Sequence, residues 1–73
     1  MLQRVRTAEK LKRYRRGAGL TQVELAERAG VAQSTITMIE TSQIAEPRPH
    51  TLRVLAEALG VSPMELLDDV EDA

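Results

Sequence analysis

The stretch from Leu20 to Thr41, LTQVELAERAGVAQSTITMIET, constrains this chain more than any other, because it specifies a helix, a three-residue corner and a second helix. Thr21 followed by Glu24 is a T-x-x-E capping box, which satisfies free amides at a helix start. Leu25, Ala26 and Ala29 then share one face of that helix. Gly30 stands where the chain must leave the helix and turn, and glycine enters the left-handed region without a Cβ penalty. Val31 fills the corner. In the second helix Ile36 and Ile39 are spaced to pack back on Leu25 and Ala26, while Gln33, Ser34, Thr37 and Met38 point away. The outward face is therefore polar, uncharged and short-chained.

The rest of the chain limits what can surround this unit. Its 73 residues suffice for one domain, whose core leaves a net stability of about 3–5 kcal/mol. With no Cys, one His and no acidic pair flanked by a base, it lacks the parts for disulfide scaffolds, thiolate metal sites and Cys or His nucleophiles. No enzyme activity, metal or cofactor is expected. No apolar run approaches the roughly 20 residues of a membrane span, and the start MLQRVRTAEKLKR has no apolar segment of signal-peptide length, so a soluble cytoplasmic chain is the expectation. The absence of Trp and Phe, with one Tyr, makes the core aliphatic and excludes aromatic stacking on single-stranded bases as a main binding mode.

Charge is segregated along the chain. The net charge is −1, yet up to Arg16 seven basic residues accompany only Glu9, for +6, and from Gly17 onward three basic residues face ten acids, for −7. Five of those acids fall between Glu65 and Asp72. Residues 1–7 read as a basic, mobile arm that Thr7 ends by capping a first helix, about Ala8 to Arg16, with Leu11 and Tyr14 inward and the basic residues largely outward. Gly17 and Gly19 end it. After the two-helix unit, Thr41–Pro49 is a loop, because Pro47 and Pro49 exclude a continuous helix. Pro49 opens a fourth helix with Leu52, Leu55, Ala56 and Leu59 on one stripe and Gly60 as its stop. Ser62-Pro63-Met64-Glu65 repeats the capping signal for a short fifth helix through Leu67. Residues 69–73 read as a frayed acidic tail, and no strand-like alternation is visible. The expected fold is all-α, a compact bundle of five short helices over residues 8–68.

The residues Gln22, Ala26, Gly30, Ile36 and Ile39 stand in an order that resembles the phage repressor and Cro group of helix-turn-helix DNA-binding domains. The resemblance extends to Arg15, Glu40 and the run Thr51-Leu52 through Leu55-Ala56, Leu59-Gly60 and Val61-Ser62, covering residues 8 to 67. It implies a lambda-repressor-like fold whose third helix enters the major groove. Side chains near the start of such a helix reach base edges, which makes Gln33, Ser34, Thr37 and Met38 the candidate base contacts. Helix 3 carries no Lys or Arg for phosphates. Gln22 is the family-matched phosphate ligand, and Arg6, Lys10, Arg48 and His50 are further candidates. The counterparts of Arg15 and Glu40 form a structural ion pair, which implies the same pairing here.

Three positions depart from the family pattern. Ala32 stands where relatives cap helix 3 with Ser or Thr, Ser42 where they commonly place Gly, and Arg48 where they cap helix 4. The resemblance implies a sequence-specific regulator of transcription, a repressor, that binds a palindromic double-stranded DNA operator as a homodimer. Leu66, Leu67 and Val70 are candidates for the dimer surface. The alternative is an antitoxin or other protein-interaction module that binds a toxin, with DNA binding autoregulatory or lost; the acidic C-terminal half and the weakened caps motivate it, and Ile44 of the loop is either a contact point for it or tucked against helix 4.

Overall fold

Capping, apolar spacing and glycine placement produce the two helices of the Leu20–Thr41 stretch, and two further helices brace them. The computed structural model describes residues 1–72, which run β1 (Leu2–Val5), α1 (Thr7–Gly17), α2 (Gln22–Ala29), α3 (Gln33–Glu40), α4 (Pro49–Leu59), a 3-10 turn (Pro63–Leu66) and β2 (Asp69–Asp72). The described residues thus form four α-helices, a 3-10 turn and a small sheet, where five helices and no strand were expected. Ala73, the last residue of the expected tail, lies outside the described residues.

The core lies where the helices meet. Leu25, Ile36, Ile39, Leu55 and Leu66 are fully buried, with Leu11, Leu20, Ala26, Leu52 and Ala56 around them. Each fully buried Leu or Ile contributes about 1.5–3 kcal/mol relative to exposure. Tyr14, Val31, Ile44 and Leu59 close the margins half-buried, so Ile44 of the α3–α4 loop packs inward. Gly30 and Gly60 end α2 and α4 with φ of 71°, the left-handed turn that lets each following segment fold back. No helix of the described residues is long and apolar enough to cross a membrane.

The fifth helix is shorter and tighter than the sequence suggests. The Ser62–Glu65 capping box forms, with Ser62 N–H donating to Glu65 Oε2 at 3.3 Å, but it opens a 3-10 turn of four residues. Leu66 drops into the core and Leu67 turns extended (φ −76°, ψ 154°), which leads the chain toward α1. The burial of Leu66 removes it as a dimer contact; Leu67 and Val70 are exposed.

The expected mobile arm and frayed tail are instead two strands of one antiparallel ribbon. Leu2 pairs with Asp72, Gln3 with Glu71, Arg4 with Val70 and Val5 with Asp69. Opposed charge, rather than hydrophobic alternation, accompanies the pairing and ties β2 and the residue before it to β1 and α1. Lys10 Nζ lies 3.6 Å from Asp69 and 3.9 Å from Glu71, Arg13 reaches Glu71 at 3.4 Å, and Arg4 meets Asp68 at 2.6 Å. Thr7 is not the N-cap of α1: Arg6 occupies that position without a capping side chain, and Thr7 is the first helical residue. The cap comes from the far end of the chain. Asp68 Oδ1 accepts from Thr7 N–H at 2.8 Å and from the Thr7 hydroxyl at 3.2 Å. These bonds, the amide foremost and the Arg4 guanidinium next, hold the Asp68 carboxyl below its ordinary pKa.

Candidate nucleic-acid interface

α2 begins with the complete capping box. Glu24 N–H donates to Thr21 Oγ1 at 3.1 Å and Thr21 N–H to Glu24 Oε1 at 2.9 Å. The Thr21 amide, then its hydroxyl, hold Glu24 ionised below the usual carboxylate range. Gly30 and Val31 both donate their amides to the Ala26 carbonyl, at 2.9 and 3.1 Å, which fixes the corner. α3 follows from Ala32, which offers no side-chain cap. A Ser or Thr there typically contributes about 1 kcal/mol. At the other end Ser42 carries a φ of 62°, the left-handed conformation that glycine adopts without strain. Both departures from the family pattern therefore fall on backbone sites that ask for another residue.

A buried polar strut holds α3 against α1 and α2. Arg15 Nε and Nη2 donate to Glu40 Oε2 and Oε1 at 2.7 and 3.0 Å, and Arg15 Nη1 donates to the Leu20 carbonyl at 2.8 Å. Arg15 is 9% exposed and Glu40 5%. The hydrogen bonds that Glu40 accepts raise the Arg15 pKa against the opposing effect of burial. Gln22 Nε2 donates to the same Glu40 Oε1 at 3.1 Å, and the Thr37 hydroxyl donates to Gln22 Oε1 at 2.9 Å. The strut thus links Arg15, Glu40, Gln22 and Thr37 across three helices.

The four candidate base contacts divide in two. Gln33 and Ser34 are exposed at the start of α3, whereas Thr37 and Met38 are half-buried and the Thr37 hydroxyl turns inward to Gln22. Four residues do not, therefore, point away equally. A helical projection places Thr37 outward and does not reveal that an acceptor from α2 sits beside it.

The candidate phosphate contacts divide as well. Gln22 is half-buried at the start of α2 with one amide hydrogen on Glu40. Arg6 and Arg48 are exposed, and among the described residues neither has an ion-pair partner. Lys10 is different: it is buried beneath β2 with its ammonium directed at Asp69 and Glu71, so it is not an open cation. His50 is exposed with its Nδ1 2.9 Å from Arg53 Nη2. Arg53, on the next turn of α4, was not among the sequence candidates; its i+3 spacing from His50 was the available signal. A groove of about 620 Å³, lined by Arg4, Leu67 and Asp68 together with Pro47, Pro49 and Leu52, takes no residue from α2 or α3.

Four helices around a corner fixed by Gly30, with a short polar α3 held on its outer side, are the marks of the helix-turn-helix family, and the chain belongs to it: the helix-turn-helix family model matches residues 11–66. Among its relatives, the HTH-type transcriptional regulator SinR of Bacillus subtilis is 38% identical over 61 residues, 84% of this chain and 55% of SinR. This chain therefore spans about half the length of SinR. An uncharacterised HTH-type transcriptional regulator of Sinorhizobium fredii, y4dJ, is 40% identical over 60 residues, 82% of this chain and 77% of that protein. SinR in complex with DNA superposes with a TM-score of 0.80 at 35% identity, covering 82% of this chain and 95% of that one, and SinR has also been solved in complex with the protein SinI. The P22 c2 repressor bound to a synthetic operator gives a TM-score of 0.79 at 30% identity, covering 86% and 94% of the two chains.

Proposed function

We propose that this chain is a sequence-specific double-stranded DNA-binding regulator of transcription, a repressor, that reads the major groove with α3 and occupies a palindromic operator as a homodimer. The observation that carries the reading is the rigid presentation of α3. Its exposed Gln33 and Ser34 stand on a helix tied to α1 by the buried Arg15–Glu40 pair and to α2 by Gln22. Gln33 offers a donor and an acceptor together, which suits the N6/N7 edge of adenine; Ser34 suits either base type, and Met38 with the Thr37 methyl suits a thymine methyl. Gln22 at the start of α2, with Arg6 and Arg48, supplies phosphate contacts, while Lys10 contributes only if β2 releases it. Selection from a random-site duplex library, followed by a salt titration, tests this. An enriched two-fold consensus whose affinity falls steeply with salt is expected, and no enrichment at low salt would remove the reading. Within that assay Gln33→Ala relaxes preference at one base position of each half-site, by about 1–3 kcal/mol of discrimination.

A second reading, a module that binds another protein such as a toxin, draws support from the exposed Leu67 and Val70 beside the acidic β2. A chain that selects no DNA sequence, yet forms a defined complex with the product of a neighbouring gene, favours it.

A further inference from the structure

The strut fixes more than the position of α3; it also fixes which way the Gln22 carboxamide faces. Gln22 Oε1 accepts from Thr37 at 2.9 Å and Nε2 donates to Glu40 at 3.1 Å, so a flipped amide would set its oxygen against the Glu40 carboxylate and its nitrogen against the Thr37 hydroxyl proton. Glu40 accepts two further hydrogens from Arg15 and is held as an acceptor. Thr37 also lies 3.3 Å from the Gln33 carbonyl, but its single proton follows the shorter contact to Gln22. One Nε2 hydrogen is committed to Glu40, and the second remains for an outside acceptor.

We infer that Thr37 is a positioning residue: its hydroxyl orients the Gln22 amide so that the free Nε2 hydrogen meets a DNA phosphate oxygen, and it does not itself hydrogen-bond a base. This inference rests on the DNA-binding reading above and assigns within it a task to a residue on the recognition helix. The base-reading set narrows to Gln33, Ser34 and Met38, with Thr37 contributing at most its methyl group. Phosphate grip through α2 and base reading through α3 are then joined by one hydrogen bond, and α3 must be seated before Gln22 is correctly aimed.

Thr37→Val keeps the shape and removes the hydroxyl, whereas Thr37→Ser keeps the hydroxyl and removes the methyl. Thr37→Val is expected to weaken binding about tenfold across all operator sequences with the consensus unchanged, and Thr37→Ser to retain the phosphate contact. Gln22→Ala should lose a similar factor, and the double variant Gln22→Ala/Thr37→Val little more than either alone. Duplexes with a single methylphosphonate substitution locate the contact: the full chain should be sensitive at one phosphate per half-site, and Thr37→Val insensitive there. A changed base preference at a single position in Thr37→Val, or additive losses in the double variant, would overturn the inference. The free protein gives an independent reading through the Gln22 side-chain amide signals in NMR, which should shift in Thr37→Val and stay in Thr37→Ser. If those signals behave as stated and no operator is selected, the DNA-binding reading fails while the orientation of Gln22 stands; if they do not respond to Thr37→Val, the positioning role fails whatever the DNA result.

Discussion

The molecule uses carboxylate–cation pairing in two places that differ in almost every other respect. Between α1 and α3 the Arg15–Glu40 pair is bidentate, nearly dry, and joined to Leu20, Gln22 and Thr37. Along the terminal ribbon the contacts of Arg4 with Asp68 and of Arg13 with Glu71 lie near water, with the Arg4 side chain 65% exposed, and Lys10 is the covered cation among the three. The same chemical groups thus yield different energies. In the strut, loss of one partner strands a charge away from solvent; in the ribbon, water and salt replace the partner of the exposed Arg4 or Arg13 at little cost. Geometry that must be held to tenths of an ångström is assigned to the first kind, and closure of the chain ends to the second.

The largest test of this contrast is Glu40→Ala, which should lower unfolding stability by about 3 kcal/mol, read as a fall in the urea midpoint at unchanged slope. An unchanged midpoint would make the strut no different in kind from the ribbon. Next comes Asp68→Ala. It removes the remote cap of α1 and should cost about 1 kcal/mol. The pH dependence gives a second reading of this carboxylate. Its folded-state pKa is depressed, so its stabilisation is complete above the unfolded value and is lost as pH falls through the lower folded value. Wild type should therefore lose more stability than Asp68→Ala when acidified through and below the ordinary carboxylate range, and parallel acid profiles would contradict the assignment.

Ser42→Gly probes the exit of the recognition helix. Relief of the positive φ, offset by the greater entropy of glycine in the unfolded chain, should raise stability by about 0.5 kcal/mol, seen as a small rise in melting temperature. The smallest effect is expected from Glu71→Gln. Its contacts with Lys10 and Arg13 are long, and the change should stay within about 0.5 kcal/mol and vanish in high salt. A cost like that of Glu40→Ala would show the ribbon to be as tightly coupled as the strut.

Legibility in the sequence follows the same division. The capping boxes at Thr21 and Ser62, the glycine turn at Gly30 and the apolar stripes of α2 to α4 are local signals, and the residues that carry them lie within one or two helical turns of one another. The ribbon has no such signal. Leu2–Val5 and Asp69–Asp72 show no apolar alternation, and each becomes a strand only because the other lies beside it. Segregated charge was the available clue, read as a floating arm and a loose tail when it also specified their attraction. Thr7 failed as a predicted cap for a related reason: the local rule saw a hydroxyl at a helix start and could not see Asp68, sixty-one residues away. At the candidate interface the exposure of Gln33 and Ser34 was readable from helical spacing. The inward hydroxyl of Thr37 and the covered ammonium of Lys10 depend on neighbours contributed by other elements.

The ribbon also sets how the domain sits under load. Because Leu2 lies opposite Asp72 and Val5 opposite Asp69, the chain enters and leaves at the same end of the ribbon, with the helices closed into a loop beyond it. A force drawing the two ends apart would open the pairs one after another, as a zipper, beginning at Leu2 and Asp72 and reaching the Asp68 clasp on α1 only after the last of them. The helical body would feel the pull first through Lys10 and Arg13 of α1, which hold Asp69 and Glu71, and then through that clasp, and a linker joining residues 2 and 72 would need to bridge only the roughly 5 Å between neighbouring strands.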